Sequence, residues 1–100
     1  MSLSGKQRRF LRAEAHALNP VVMVGKEGLS ETVLDAVRDA LLAHELIKVR
    51  LLDTAPLERD ELAERLPSMV KAEAAGLIGR VLVLYKRHPH KPQIKLPRDP

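Results

Sequence analysis

The chain has 100 residues, with 17 Lys and Arg against 13 Asp and Glu, a formal net charge of +4 and no cysteine. A chain of this length buries roughly 60 to 70% of its unfolded surface, enough for one modest core and not for two. The absence of thiols excludes a disulfide framework, a thiolate zinc site and a cysteine nucleophile. Residues 1–10 lack the apolar stretch of a secretory signal and no apolar run nears the roughly 20 residues that cross a bilayer, so a soluble, cytoplasmic protein is expected.

Ser4 and Gln7 have capping-box spacing, and Leu3, Phe10, Leu11, Ala15 and Leu18 recur at helical intervals, which predicts an amphipathic helix over residues 5–17. Asn19-Pro20 ends it. Val21 to Val24 is a short, largely β-branched apolar run that suits a strand buried on both faces. The loop Gly25-Lys26-Glu27-Gly28 follows. Ser30 is the expected N-cap of a second helix, with Leu29 and Leu34 as a staple, and Val33, Val37, Ala40 and Leu41 lining one face as far as His44. Leu46 to Asp53 reads as a second strand with Lys48 and Arg50 on one face. Pro56 is expected to open a third helix through Leu62 and Leu66, and Pro67 to kink or end it between Leu66 and Met69. Gly76 to Ile78 and Val81 to Tyr85 make two strands joined at Gly79, preceded by Ala72 to Ala75 with poor strand propensity. The tail, residues 87–100, contains four prolines and two histidines and is expected to be extended or loose, with room for brief pairing at Gln93 to Leu96. This order predicts a single-domain, two-layer α/β sandwich with three helices and a mixed four-stranded sheet. Its ordered core spans about residues 4–87 and its basic tail residues 88–100.

Charge is unevenly distributed: residues 1–26 carry five basic side chains and one acidic, residues 80–100 six and one, and the stretch between six and eleven. Basic ends of this kind attract a polyanion, which RNA, DNA or anionic lipid would each satisfy. Arg8, Arg9 and Arg12 fall within about 100 degrees of the first helix, beside its apolar stripe and with Lys6 nearer its start. No acidic residue shares that sector, so the guanidinium groups are left to bind phosphate in a bidentate fork. Glycines at both ends of the Gly25 to Gly28 loop let the backbone approach a phosphate, the following helix N-terminus adds partial positive charge, and Lys26 adds a full one. Glycine pairs at this spacing also occur in ordinary turns, and Glu27 repels phosphate unless it faces away or meets a base edge. Lys86, Arg87, Lys91 and Lys95 extend the basic surface. With Phe10 on the buried stripe and Tyr85 as the other aromatic, recognition is expected to use backbone and shape rather than aromatic stacking.

No enzyme is indicated. His16 and His44 lie at expected helix C-termini, where an imidazolium caps favourably, and His44-Glu45 does not continue into a zinc-protease motif. His88-Pro89-His90 offers two ligands on a tail, a weak metal site. There is no phosphate-binding Walker loop, dinucleotide fingerprint or nucleophile elbow, and no cofactor or small-molecule substrate is called for.

The chain resembles the YhbY family, the stand-alone bacterial form of the CRM (chloroplast RNA splicing and ribosome maturation) domain. The resemblance is carried by Lys6-Gln7, Leu11-Arg12, Ala15-His16, Leu18, Pro20-Val21-Val22, Val24 to Leu29, His44 to Val49, Ile78-Gly79-Arg80 and Leu82 to Tyr85. It implies a fold similar to the C-terminal domain of translation initiation factor three and an RNA-binding domain that associates with precursors of the large ribosomal subunit; a monomer is expected. By position, it implies RNA contact at Lys6, Arg9, Arg12 and Gly25 to Gly28. Pro67, Ala72 to Ala75 and Lys86-Arg87 depart from the family pattern. The alternative reading is an adaptor that docks a ribosomal protein or assembly GTPase and touches RNA incidentally; a nuclease or modification enzyme is the weaker third.

Overall fold

A computed structural model describes residues 3–98. The elements are α1 (Gly5–Ala15), β1 (Val22–Val24), α2 (Glu31–His44), β2 (Leu46–Leu51), α3 (Arg59–Val70), β3 (Glu73–Ile78) and β4 (Val81–Tyr85). The four strands form one sheet in the order β1-β2-β4-β3, with β1 and β2 parallel and the other neighbours antiparallel. The mixed sheet with three helices is the expected architecture.

Local chemistry explains the helix starts. Ser4 Oγ accepts from the Gln7 N–H at 3.1 Å while Gln7 Oε1 accepts from the Ser4 N–H at 3.1 Å, a complete capping box. Ser30 Oγ accepts from the Val33 N–H at 3.3 Å at the start of α2. The third helix departs from expectation: it starts at Arg59 rather than Pro56, because Leu57 turns inward as a buried anchor and Glu58 is the extended N-cap. Pro67 does not end it. The ring sits in the last turn, buried with Leu66 and Val70, and the Pro67 carbonyl accepts the N–H of Lys71, the left-handed C-cap residue. Tertiary burial there outweighs the hydrogen bond that the proline removes.

Two apolar clusters lie on opposite faces of the sheet. Val22 and Val24 of β1, Ile47, Val49 and Leu51 of β2, and Leu82 and Leu84 of β4 pack with α2 and α3. Leu46, Val83, Tyr85 and Ala75 point the other way, toward Leu3, Leu11 and Ala15. The sheet with α2 and α3 makes the two layers, and α1 partly covers the remaining face as a third. The first strand is not buried on both faces. It is an edge strand in which Met23, 46% exposed, alternates with buried Val22 and Val24. The third strand reaches back to Glu73 despite its alanines, because pairing with β4 fixes it, with a bulge between Ala74 and Gly76.

As far as residue 98 the tail is extended but anchored, without strand pairing. Glu45, the α2 C-cap at φ 62°, is 3% exposed, and its carboxylate accepts from the N–H groups of His88, Gln93 and Ile94, each at 2.8 Å. Burial alone would raise the Glu45 pKa; the three backbone donors outweigh it and hold the group below its ordinary value. Ile94 and Leu96 then pack against the α1 cluster, and the Pro97 carbonyl accepts from Gln7 Nε2 at 3.1 Å.

Candidate nucleic-acid interface

The basic residues of α1 are positioned by backbone acceptors, not by carboxylates. Arg8 Nη1 donates to the Leu3 carbonyl at 2.7 Å, Lys6 Nζ to the Arg98 carbonyl at 3.2 Å, and Arg12 Nη1 to the Ala75 carbonyl at 2.8 Å. Arg9 is exposed. Among the described residues, the ion pairs are Arg38 with Asp35, Arg65 with Glu61 and Arg80 with Asp53, none of them involving α1. Each arginine of α1 therefore keeps donors for an incoming anion.

Arg12 is held by a feature of β3. The bulge frees the Ala75 carbonyl as an acceptor, and the Arg12 stem runs across Gly76, where a Cβ would overlap Arg12 Cδ and lie 3.0 Å from Cγ. The backbone of Gly76 is ordinary strand, so the glycine supplies space and not an unusual φ. Lys48 does related work at the other end of α1: its Nζ donates to the carbonyls of Leu18 at 3.0 Å and His16 at 3.4 Å, fixing the helix C-terminus against β2.

The Gly25 to Gly28 loop closes through a Gly28 N–H to Gly25 carbonyl bond of 2.9 Å. Its two glycines have different roles. Gly28 is buried at φ +63°, and a Cβ would lie 3.2 Å from Pro56 Cγ, so it is needed by the fold. A Cβ at Gly25 would meet Leu52 and Thr54 only at 3.6 Å, an ordinary contact. Lys26 and Glu27 form the exposed tip.

The loop extends β1 while Arg12 lies on β3, the opposite edge, so three interstrand steps of about 4.8 Å across the sheet and an offset of about 13 Å along the strands put the two about 20 Å apart. Between them Arg50 projects from β2 on the α1 face, exposed and without an ion pair among the described residues. Arg50 was visible in the alternation of the second strand, yet nothing in the sequence placed it beside α1. Lys86 and Arg87 follow the far end of β4, about 17 Å along the strand from the loop end. Lys86 Nζ donates to the Val70 carbonyl at 3.2 Å, capping α3, so the structure does not bring these two residues together with the loop. The acidic residues Glu31, Asp35 and Asp39 of α2 and Asp60, Glu61 and Glu64 of α3 belong to the helices on the other face, so the molecule is polarised, with one face suited to a polyanion.

Of the histidines, His16 and His44 are exposed at helix ends, and His88 Nδ1 accepts from the N–H groups of His90 at 3.0 Å and Lys91 at 2.9 Å, shaping a turn in the tail. No helix among the described residues is long and apolar enough to cross a membrane.

The CRS1/YhbY (CRM) domain family model matches residues 3–86. The chain is 40% identical over 95 residues to the probable RNA-binding protein YqeI of Bacillus subtilis, covering 95% of this chain and 99% of that one. It is 42% identical over 97 residues to an RNA-binding protein of Haemophilus influenzae, covering 97% of each. The solution structure of a Staphylococcus aureus protein proposed to bind RNA superposes with a TM-score of 0.80 at 37% identity, covering 95% of this chain and 99% of the other.

Proposed function

The chain belongs to the CRS1/YhbY (CRM) domain family, and from that premise we propose that it is a non-catalytic RNA-binding protein of the cytoplasm that acts on ribosomal RNA in precursors of the large subunit. The observation that carries RNA binding is the set of cations on the α1 face. Arg8, Arg9 and Arg12, with Lys6 beside them, have no carboxylate partner among the described residues, while the acidic side chains of α2 and α3 belong to the helices on the opposite face. Surfaces evolved for solvation alone intersperse the two signs. The exposed Lys26 at the end of β1 supplies a second anchoring point, with the glycine loop letting RNA backbone come close. The names of the relatives support RNA as the polyanion, and the family's ribosome-maturation character supports the precursor as its source.

Sedimentation of cell extract tests the ribosomal part. The protein is expected to migrate with large-subunit precursors and to leave those fractions when Arg8, Arg9 and Arg12 are replaced by Glu. A protein confined to the top of the gradient would contradict this reading, and a charge-reversed variant that still cosedimented would favour docking through protein contacts.

A further inference from the structure

On the sheet face that carries α1, side chains are arranged in rows perpendicular to the strands. One row is Lys48, Val83 and Gly76, and it lies under α1: Val83 is buried, Lys48 holds the helix C-terminus and Arg12 crosses Gly76. The next row toward the Gly25 to Gly28 loop is Met23, Arg50, Val81 and Ile78, one residue from each strand, fixed by the registers of Met23 with Arg50, Arg50 with Val81 and Val81 with Ile78. Among the described residues this second row stays largely open, with Val81 half-buried. Met23 is 46% and Ile78 57% exposed, and Arg50 is exposed between them.

An open apolar row with a guanidinium at its centre fits a flat, uncharged ring better than it fits water, and a guanidinium plane stacks on nucleobases in the absence of aromatic side chains. Here Tyr85 is buried and Phe10 packs in the α1 cluster, so neither offers a base platform. The surroundings favour an anionic chain: Arg12 is fixed one row away, about 7 Å along the strand, and Lys26 projects beyond the β1 end. Resting on the RNA reading above, we propose that the row Met23, Arg50, Val81 and Ile78 is the floor on which an unpaired RNA nucleotide lies, its base against Arg50 and the apolar side chains and its phosphate on Arg12. The protein then distinguishes looped or single-stranded RNA from duplex, whose bases are stacked away from this surface.

The test titrates methyl-labelled protein with a single-stranded oligouridylate of about ten nucleotides and with a blunt RNA duplex of the same length, within the site sizes usual for such surfaces. The Met23, Val81 and Ile78 methyls are expected to shift with the single strand and not with the duplex, while exposed Leu42 of α2 stays still. Arg50→Ala is expected to weaken single-strand binding about tenfold and duplex binding less than about twofold, with Arg50→Lys failing to restore the difference. Silent methyls and unchanged affinity in Arg50→Ala, with Arg12→Ala still weakened, would overturn the floor and leave RNA binding intact. Equal weakening toward both RNAs, or full rescue by lysine, would reduce Arg50 to a general charge and also overturn it. Wild-type protein that binds neither oligonucleotide would overturn both readings.

Discussion

Replacing Gly76 by alanine isolates the contact that fixes Arg12. The new Cβ would overlap Arg12 Cδ and press on Cγ, so the stem must move by about 1 Å to reach ordinary contact, and the 2.8 Å bond to the Ala75 carbonyl is strained or lost. A hydrogen bond from a charged donor is worth about 1.5 to 3 kcal/mol, and half-burial of Arg12 places this one at the lower end. Against that, alanine in a strand regains about 0.5 to 1 kcal/mol over glycine through backbone entropy. The net cost is therefore about 1 kcal/mol with Arg12 present. It disappears, or turns into a gain of about 0.5 kcal/mol, in the Arg12→Ala background, where nothing crosses the site. Urea denaturation of the four proteins in this double-mutant cycle measures the coupling, expected at about 1 to 2 kcal/mol. RNA affinity read in parallel should fall in Gly76→Ala and not fall further in the double variant. Equal stability costs in both backgrounds would refute the argument, since the glycine would then serve the strand and not the arginine.

The two loop glycines should separate by assay. Gly28→Ala is expected to cost about 1 to 2 kcal/mol by denaturation, from its positive φ and the approach to Pro56. Gly25→Ala is expected to cost under about 0.5 kcal/mol and to show its effect in RNA affinity alone. Glu45→Ala should free the tail, destabilising by about 2 to 3 kcal/mol, with loss of amide-exchange protection at His88, Gln93 and Ile94. The same anchor gives a pH dependence of known sign. The folded pKa of Glu45 lies below its ordinary 4.5, so its contribution is complete above that value and disappears as pH falls through the depressed one. Amide exchange at those three residues, measured down through the acid range, should show tail protection lost on acidification, and weaker protection without that pH dependence in Glu45→Gln, whose amide oxygen still accepts but does not titrate.

What the sequence made legible was local chemistry. Ser4 with Gln7, and Ser30 between Leu29 and Leu34, announced two helix starts, and the alternation of Leu46 to Leu51 separated Lys48 and Arg50 from the core side of their strand. What it did not show depended on partners distant in the chain. The alanines of β3 have little strand propensity, and only pairing with β4 makes them a strand. Periodicity showed which side of the first helix is apolar but not which face of the sheet it covers, so the neighbourhood of Arg12, Arg50 and Gly76 was invisible. The edge position of β1, which exposes Met23, required the strand order. The tail read as loose because its anchor, Glu45, lies 43 to 49 residues away from the amides it binds. In the candidate site, the arginines and the loop were named from charge and glycine spacing. Lys86 and Arg87 were grouped with them from charge alone, and the length of β4 separates those two residues from the loop.

RNA binding by this face depends on the α1 arginines meeting phosphate. Fluorescence anisotropy with a labelled ribosomal RNA fragment, across a series of salt concentrations, measures this for wild type and for the variant carrying Arg8→Glu, Arg9→Glu and Arg12→Glu. Wild-type affinity should fall steeply with salt, by about 0.7 in log K per log unit of salt for each phosphate contacted on a single strand, and the triple variant should bind weakly with a flatter slope. Equal affinities and equal slopes for the two proteins would contradict the account.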